Sequence, residues 1–454
     1  MGKFFGTDGV RGVANCELTC ELATKIGKAM VNILKAQYSH KLKILIGKDT
    51  RISSDMLESA LLSGICSCGA DGISLGVVPT PAVAHLVKKY NADAGIMISA
   101  SHNSYEFNGI KIFNKNGYKL SDKLENKIEE MIVNNQFELA KSKEIGTVTQ
   151  LETAVDDYIE YLSNVAKTDI SNLKIAVDCA NGSASVTSEK LFKKLGLSAH
   201  IICQTPNGTN INEKCGSTYI DNISDFVVNN GYDLGIALDG DADRCLAVDE
   251  TGKLIDGDMI LAICAKYLKE KNELKSNAVV GTIMANAGLE KFCKKNDMIY
   301  EETKVGDRYV LERLLEKNYS IGAEQSGHVI FLDHSTTGDG QLTAIKLLEV
   351  ISTSGKKVSE LMDEFEKFPQ ILSQIVITSD LRGAISQSEK ISNYIKNLKE
   401  QFAQNGKIVI RESGTEPKIR VMVEHEDKTK LQELSNNIVN TLRQMLAEYK
   451  SEDN

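Results

Sequence analysis

The sequence predicts an α/β protein in which three successive α/β domains with mixed sheets precede a smaller C-terminal α+β domain. The chain has 454 residues, and at roughly 150 residues per domain it should hold about three domains and one smaller unit. Short apolar runs alternate with helix-period segments for most of the length, which is typical of βα units. With 42% hydrophobic and 25% charged residues, the composition is that of a globular protein.

The α/β part contains six apolar runs that predict strands. They lie at 43–46, 96–99, 173–177, 234–238, 279–284 and 329–332. Polar helical stretches at about 122–133, 158–167 and 265–275 predict connecting helices. Small polar loops follow or precede these strands, and their sequences are GKDTR, SASHN, DCANG, DGDADR, ANAG and EQSGH. Because ligands bind at the carboxyl ends of strands in open α/β sheets, we expect the chemistry in these loops.

The last segment has a different pattern. A strand at 371–378, a helix at about 386–402, strands around Arg411 and Arg420 and a helix to about 449 predict an α+β unit. We therefore predict domains at 1–155, 156–255, 256–368 and 369–454. Three successive α/β units also suggest repetition of one architecture.

Composition excludes several classes of function. The net charge is −9 and the pI is near 5.5, so we expect no nucleic-acid partner and no attraction to anionic lipid. The apolar run at 259–265 is far shorter than the roughly 20 residues that span a bilayer, and no signal peptide is evident. A cytoplasmic protein with no membrane partner and ten reduced, scattered cysteines is predicted. Neither a Walker A motif nor G-x-G-x-x-G occurs, which disfavours nucleotide cofactors.

The run DGDADR indicates a metal site. Asp239, Asp241 and Asp243 alternate directly after a predicted strand. Neighbouring carboxylates about 4 Å apart repel each other by roughly 4 kcal/mol at an effective dielectric of 20, and a hard cation removes that repulsion. Ligands that are all oxygen favour Mg²⁺, Mn²⁺ or Ca²⁺ over zinc.

Two other interpretations of this run are open. An EF-hand loop would use these three aspartates and Glu250 at positions 1, 3, 5 and 12. However, position 6 must be glycine and is Arg244, and the flanks predict strands rather than helices. The other is a solvated acidic turn.

The run SASHN places Ser101, His102 and Asn103 at the end of another predicted strand. A serine among small residues is open to a ligand, and the neighbouring side chains could orient its hydroxyl or a phosphate on it. The alternative is a turn that satisfies its own backbone. No G-x-S-x-G elbow supports a hydrolase triad.

Two further loops suggest substrate contacts. Arg411, the two hydroxyls of Ser413 and Thr415, and Gly414 form a plausible nest for a phosphate dianion, although a Gly-Thr hairpin turn is the alternative. If strand alternation holds, Glu412 faces away from Arg411. In the second loop, Glu324 and Ser326 could bind sugar hydroxyls, and His328 could assist phosphate binding or proton transfer, although a lone histidine is more often structural.

With SASHN, DGDADR, EQSGH and RESGTEP in this order, the chain resembles the α-D-phosphohexomutase superfamily over essentially its whole length. Within it, the chain most resembles the bacterial enzymes that interconvert glucosamine 6-phosphate and glucosamine 1-phosphate on the route to UDP-N-acetylglucosamine. FGTDGVRG at the start, NGTNINEKCGST at 207–218 and KVGDRYV at 304–310 carry this second resemblance.

The resemblance implies an active site in a central cleft, a phosphoserine enzyme and a glucosamine 1,6-bisphosphate intermediate. The implied catalytic residues are Ser101, His102, Lys111, Arg11, Arg244 and His328. The implied substrate-binding residues are Glu324, Ser326, Arg411, Ser413, Gly414 and Thr415. One Mg²⁺ would be held by Asp239, Asp241, Asp243 and the phosphate of Ser101. A phosphomannomutase or phosphoglucomutase is the nearest alternative, and a non-catalytic Ca²⁺-binding protein is a distant one.

Three departures from the family pattern remove no catalytic group. They are Ser104 where proline is common, Ala323 where glycine is common, and the added charge of Glu412 beside the phosphate loop. A small sugar phosphate is the expected partner, and a homodimer is an open alternative to a monomer.

Overall fold

The computed structural model describes residues 4–6, 8–378, 381–402, 405–412 and 417–452. In this part of the chain the strands form four separate sheets, of seven, five, four and three strands in chain order. Each sheet lies within one of the four segments predicted from the sequence. The boundaries at 155, 255 and 368 themselves stay a prediction.

The first sheet contains seven strands. They are β1 (Phe5–Gly6), β2 (Gly9–Val13), β3 (Lys43–Lys48), β4 (Asp71–Val77), β5 (Ala94–Ile98), β6 (Phe107–Asn114) and β7 (Val148–Gln150). Their spatial order is β1-β2-β6-β5-β3-β4-β7. The helices of this region are α1 (Cys20–Lys35), α2 (Ser54–Ser67), α3 (Thr80–Lys89) and α4 (Asp122–Asn134).

The second and third sheets follow. The second has the strands β8 (Lys174–Asp178), β9 (Ser198–Ile202), β10 (Leu234–Leu238), β11 (Cys245–Asp249) and β12 (Leu254–Ile255), with the helices α5 (Ala154–Ser163), α6 (Ser188–Lys194) and α7 (Ile220–Asn230). The helices that accompany the third are α8 (Gly257–Glu270), α9 (Ala287–Lys295), α10 (Asp307–Lys317), α11 (Gly340–Ser354) and α12 (Val358–Met362). Its strands are β13 (Ala278–Thr282), β14 (Ile299–Thr303), β15 (Ile321–Ala323) and β16 (Val329–Phe331).

One strand order recurs in all three sheets. The four-strand units are β4-β3-β5-β6, β9-β8-β10-β11 and β14-β13-β15-β16. In each unit the first three strands are parallel and the last is antiparallel. The expected repetition of one architecture is therefore confirmed. The loops SASHN, DGDADR and EQSGH all connect the third strand of a unit to the fourth, so they occupy equivalent positions.

Helix α8 corrects the sequence prediction of a helix at 265–275. The side chain of Asp256 accepts hydrogen bonds from the N–H groups of Asp258 at 3.2 Å and Met259 at 3.1 Å, and this N-cap starts the helix at Gly257. The apolar run at 259–265 therefore belongs to a buried helix. Its side chains pack in the core, so they show no amphipathic period that would have revealed the helix.

The fourth sheet forms a smaller unit with its own core. Its strands are β17 (Gln370–Val376), β18 (Gly406–Glu412) and β19 (Lys418–His425), in the antiparallel order β17-β19-β18. Its helices are α13 (Ala384–Gln387), α14 (Glu389–Phe402) and α15 (Lys428–Glu452). The helix predicted at 386–402 is thus two helices in the structure, interrupted at Ser388, which has extended backbone angles.

Hydrophobic packing joins the first three units but leaves the fourth separate. The largest core cluster includes Phe113, Val177 and Leu347, one from each α/β unit. A different cluster, which includes Ile391 and Val421, fills the fourth unit. Among the described residues, no helix is both long and apolar enough to cross a membrane.

Candidate functional site

Ser101 lies in the loop after β5, where its side chain reaches the second α/β unit. The residue is 1% exposed and has a φ of +53°, a left-handed conformation that turns the chain sharply. Its Oγ donates to Oδ2 of Asp239 at 2.6 Å, and its N–H donates to Oγ of Ser99 at 2.9 Å. The serine hydroxyl therefore points directly at the predicted metal ligands.

Two side chains that sequence reasoning missed hold the backbone of this loop. Nη2 of Arg51 donates to the carbonyl oxygens of Ser101 at 3.1 Å and Asn103 at 2.6 Å. Nδ2 of Asn212 donates to the same two oxygens at 2.9 Å each. The available signals were the GKDTR loop at the end of β3 and the run NGTNINEKCGST, although neither indicated this particular contact.

Asp239, Asp241 and Asp243 converge in the loop between β10 and β11. One carboxylate oxygen of each lies within 4.8 Å of the others, and all three residues are buried. Burial, followed by the charges of Asp243 and Asp241, raises the pKa of Asp239 to about 8. The cluster is therefore unfavourable as three free carboxylates.

The donor set fits a hard divalent cation. Oδ1 of Asp241 and Oδ1 of Asp243 are buried, and neither has a hydrogen-bond partner among the described residues. Buried carboxylate oxygens without partners are costly unless a cation coordinates them. With oxygen as the only donor, the site fits Mg²⁺, Mn²⁺ or Ca²⁺ better than zinc.

The structure contradicts the EF-hand interpretation. The aspartate loop joins two antiparallel strands, β10 and β11, and no helix flanks it. Glu250, which would be the twelfth ligand, instead accepts hydrogen bonds from N–H and Oγ of Ser359 at 3.1 and 2.5 Å. The aspartates therefore lie in a loop between two strands of a sheet, not in a loop between two helices.

Lys111, on β6, is buried against the same carboxylates. Its Nζ lies 2.9 Å from Oδ2 of Asp241 and 3.3 Å from Oδ2 of Asp243. A third carboxylate, that of Asp8, lies 3.1 Å away. Although burial favours the neutral amine, these charges, led by that of Asp241, raise the pKa of Lys111 well above its usual value. Asp8 was not predicted, although FGTDGVRG contains it.

His102 and Arg11 line the outer side of the serine loop. Nδ1 of His102 lies 3.4 Å from Oγ of Ser101, and burial lowers the pKa of His102 to about 4, which keeps the ring neutral. Nη1 of Arg11 donates to Oδ1 of Asn103 at 3.2 Å, and Nη2 donates to Oδ2 of Asp8 at 3.3 Å.

Arg244 lies on the metal side of the site. Its backbone N–H donates to Oδ1 of Asp239 at 3.1 Å. Its Nε is buried without a hydrogen-bond partner among the described residues and lies 4.0 Å from Oδ1 of Asp243. A buried guanidinium N–H without a hydrogen-bond partner is well suited to an anion.

The loop between β15 and β16 brings Glu324 and His328 to the site. Oε1 of Glu324 accepts from N–H of Gly306 at 3.0 Å, which ties this loop to the start of α10. Nε2 of His328 accepts from N–H of Gly338 at 3.0 Å, so Nδ1 is the nitrogen that faces Asp243, at 3.7 Å. Ser326 lies in the same loop and is half-buried.

Arg411 is the described part of the predicted phosphate loop. It pairs across the sheet with Arg420, and both line a cavity of about 210 Å³. Burial and the charge of Arg420 lower the pKa of Arg411, whose Nε has no hydrogen-bond partner among the described residues. Two cations at one register position repel each other, which favours a bound anion. Ser413, Gly414 and Thr415 lie outside the described residues.

Glu412 faces away from this site, as strand alternation predicted. Its carboxylate accepts from N–H of Gly383 at 2.8 Å and from N–H of Ile385 at 3.3 Å. The negative charge is therefore used at the start of α13 and is not directed at a phosphate.

A repeated α/β fold that brings together a buried serine, a cluster of three carboxylates suited to a cation and an arginine pair is the arrangement expected of a phosphohexomutase. Comparison with known families agrees. The phosphoglucomutase/phosphomannomutase alpha/beta/alpha domains I, II and III match residues 2–139, 156–252 and 256–368. The C-terminal domain of the same family matches residues 353–441. The chain therefore belongs to the phosphoglucomutase/phosphomannomutase family and is an enzyme of the isomerase class.

Relatives narrow the assignment within the family. The chain is 48% identical over 448 residues to the phosphoglucosamine mutase of Acetivibrio thermocellus, with 98% of this chain and 100% of that protein covered. It is 50% identical over 438 residues to the phosphoglucosamine mutase of Clostridium novyi, with coverage of 96% and 97%. These similarities group the chain with the bacterial phosphoglucosamine mutases.

Solved structures agree on the fold. A phosphoglucomutase/phosphomannomutase family protein from Burkholderia thailandensis superposes with a TM-score of 0.81 at 22% identity and covers 96% of each chain. The Aspergillus fumigatus N-acetylphosphoglucosamine mutase, solved with GlcNAc-6P and magnesium, gives 0.72 at 17% identity, with 98% of this chain and 96% of that chain covered.

Proposed function

We propose that this enzyme interconverts glucosamine 6-phosphate and glucosamine 1-phosphate through a phosphoserine at Ser101 and a glucosamine 1,6-bisphosphate intermediate. The observation that carries the proposal is the 2.6 Å contact between Oγ of Ser101 and Asp239 within the three-carboxylate cluster. Identity of about 48–50% to phosphoglucosamine mutases over nearly the whole chain supports the choice of sugar. A phosphomannomutase or phosphoglucomutase is not favoured.

Asp239, Asp241 and Asp243 would hold one Mg²⁺ together with the phosphate on Ser101. Bound there, the ion would neutralise the negative charge that spreads over the phosphoryl oxygens during transfer. The unpartnered oxygens of Asp241 and Asp243 support this assignment. The left-handed turn and the hydrogen bonds from Arg51 and Asn212 hold the backbone of the serine loop in position.

Phosphoryl transfer requires in-line positioning and charge stabilisation more than a strong nucleophile. In our assignment, Arg244 and Arg11 stabilise the phosphate on Ser101, and neutral His102 donates or accepts a hydrogen bond beside it. Lys111 and His328 are assigned to acid–base work at the sugar oxygens. That role stays a prediction. In this structure Lys111 pairs with carboxylates, and Nε2 of His328 accepts a hydrogen bond from a backbone N–H, so both groups have other partners.

The sugar must turn over between the two half-reactions, so its contacts must suit both orientations. We assign Glu324 and Ser326 to the sugar hydroxyls. Arg411, with Ser413, Gly414 and Thr415, would hold whichever phosphate is not being transferred. The cavity beside Arg411 and Arg420 supports a phosphate at this place. A small sugar phosphate as partner, a cytoplasmic location and the choice between monomer and homodimer stay predictions.

Side-by-side kinetics test the choice of substrate. Purified enzyme would be assayed with glucosamine 6-phosphate, glucose 6-phosphate and mannose 6-phosphate at saturating Mg²⁺, with the 1,6-bisphosphates as activators. We expect the highest kcat/KM with glucosamine 6-phosphate. Equal efficiency with mannose 6-phosphate would contradict the substrate assignment and leave the phosphohexomutase class intact.

A further inference from the structure

Cys203 and Cys215 form a thiol pair outside the site described so far. Cys203 directly follows β9 and is half-buried, whereas Cys215 lies at the end of the next loop and is buried. Their Sγ atoms and a carboxylate oxygen of Asp178 all lie within 4.8 Å of one another. The sequence spacing of these cysteines indicates neither a metal site nor a redox motif, so only the fold brings the two thiols together.

The environment gives the two thiols different roles. Hydrogen bonding between the two thiols lowers the pKa of Cys203 and raises that of Cys215. Nδ2 of Asn222 also donates to Sγ of Cys203 at 3.6 Å. Cys203 is therefore the more nucleophilic and more accessible sulfur, and Cys215 is the protected one.

The loop between the two cysteines contacts the loop that carries Ser101. Within residues 203–215, Asn212 donates through Nδ2 to the carbonyl oxygens of Ser101 and Asn103. The neighbouring Gly216 donates its N–H to Oδ2 of Asp178 at 2.9 Å, which anchors the end of this loop. A change at Cys215 would therefore be transmitted to the backbone that positions Ser101.

We propose that Cys203 and Cys215 are a reversible oxidation site whose disulfide displaces Asn212 and slows phosphoryl transfer at Ser101. A disulfide needs a sulfur–sulfur distance of about 2.05 Å. The two sulfurs lie within 4.8 Å of each other, so they must come closer to form the bond and carry the end of the loop with them.

The oxidant in this proposal is hydrogen peroxide. The Cys203 thiolate attacks one peroxide oxygen, the O–O bond breaks, and the products are a sulfenic acid and hydroxide, which takes up a proton to become water. The sulfur of Cys215 then attacks that of Cys203 as its proton leaves, the S–O bond breaks, and a second water is released. Two electrons pass from the thiols to the peroxide, and a dithiol reverses the change.

Peptide mapping and activity together test the proposal. The full chain would be reduced, freed of dithiol, treated with hydrogen peroxide and quenched with an alkylating reagent. We expect a peptide pair joined through Cys203 and Cys215, a loss of mutase activity of about fivefold or more, as the loss of hydrogen bonds to the loop implies, and recovery of both with dithiothreitol. The absence of the joined peptide would overturn the proposal, as would its formation with unchanged activity.

Matched variants separate this pair from the other thiols. Cys203→Ser should keep its activity under peroxide. Cys66→Ser, which removes a half-buried thiol that donates to the carbonyl of Thr147 at 3.6 Å, should lose activity as the unchanged protein does. Equal inactivation of Cys203→Ser would contradict the proposal. If Cys203→Ser does not fold, Cys215→Ser gives the same comparison.

Two further readouts distinguish the oxidation site from a zinc site and from an error in the substrate assignment. Elemental analysis of the reduced protein should find no bound zinc. Zinc that is lost in Cys203→Ser would show that Asp178, Cys203 and Cys215 form a metal site, and it would overturn the oxidation proposal. The joined peptide is measured whether or not the protein turns over glucosamine 6-phosphate. Failure of the substrate assignment would thus be distinguishable from failure of the thiol pair.

Discussion

Ser101 is positioned by contacts that reach across long stretches of chain. Its hydroxyl contacts Asp239, and its carbonyl oxygen accepts from Arg51 and Asn212. In the proposed mechanism, a serine held this way needs little reorganisation when a phosphoryl group arrives. The most direct tests at this scale are therefore single substitutions.

We predict that Ser101→Ala abolishes turnover while the protein stays folded. Transfer needs an oxygen at this position, so kcat should fall by about a thousandfold or more. Stability should change by only about 1 kcal/mol, since one hydrogen bond to Asp239 is lost. Steady-state kinetics and thermal unfolding measure both effects. Phosphopeptide mapping of the unchanged protein should place the phosphate on Ser101, and finding it on Ser99 would contradict the assignment.

We predict that Asp241→Asn raises the Mg²⁺ concentration needed for half-maximal activity. Removing a residue that hydrogen-bonds to a metal ligand already lowers the affinity for the metal by about 10–100-fold. Removing the charge of a ligand itself should lower it at least as much. A Mg²⁺ titration of activity measures the shift. Asp156→Asn, which removes an exposed carboxylate paired with Lys190 at the surface, is the control and should leave the titration unchanged. An unshifted curve for Asp241→Asn would refute the three-aspartate metal site.

We predict that Arg411→Ala raises KM for glucosamine 6-phosphate and for glucosamine 1-phosphate by similar factors. A shared clamp contacts the phosphate at either end of the sugar, so losing its charge-assisted hydrogen bonds should cost about 2–3 kcal/mol in both directions. Kinetics in both directions measure the two factors. Arg443→Ala, on the exposed face of α15, is the control. A defect in one direction only would mean that the loop recognises one end of the sugar.

At the scale of elements, β19 and α9 connect the fourth unit to the third. Glu424 on β19 is fully buried and accepts from N–H of Ala287 at 2.9 Å and from Nδ2 of Asn286 at 3.3 Å. Both donors lie at the start of α9, where the helix dipole favours a carboxylate. Burial nevertheless raises the pKa of Glu424 from 4.5 to about 7.

We predict that this carboxyl makes the protein less stable as pH rises from about 4.5 to about 7. A group with a raised pKa in the folded state binds its proton more tightly there, so its contribution is complete below pH 4.5 and is lost as pH rises through 7. The loss should be at most about 3 kcal/mol. Denaturant unfolding at several pH values gives the free energy of unfolding as a function of pH. The loss is the difference between the pH dependence of the unchanged protein and that of Glu424→Gln. Glu426→Gln, two residues later and exposed, should keep the pH dependence of stability of the unchanged protein.

At the scale of the whole molecule, core packing divides the chain unequally. One hydrophobic cluster includes residues from the first three α/β units, and a separate cluster fills the fourth. The contacts between the third and fourth units include polar ones, such as the ion pair of Lys407 with Glu302, at 2.5 Å. Interfaces of this kind permit relative motion of domains, which a reaction that must release and reorient its intermediate requires.

We predict two thermal transitions, the smaller of which is the unfolding of the fourth unit. Units with separate cores need not unfold together. Differential scanning calorimetry should resolve both transitions, and hydrogen exchange should show the peptides of 370–452 opening as one group. A single transition with uniform exchange across all four units would show that the interface couples them fully.

The sequence by itself determined the fold class and indicated the groups to which we assign the chemistry. Small polar loops after apolar runs located Ser101 and the three aspartates, because a loop at a strand's carboxyl end is a local feature of the chain. Strand alternation likewise predicted the direction of Glu412. Helix α8 was misplaced by eight residues at its start, since a helix that is buried on all sides shows no polar period.

Only the tertiary structure decided which distant groups meet at these loops. Thr80 donates through Oγ1 to Asp241 at 2.5 Å across 161 residues of chain. Arg51 and Asn212 reach Ser101 across 50 and 111 residues, and Asp8 reaches Lys111 from the start of the chain. Residue type and spacing specify local backbone conformation. The pairing of loops from different units is instead fixed by how three sheets with the same strand order pack on one core, which no local pattern encodes.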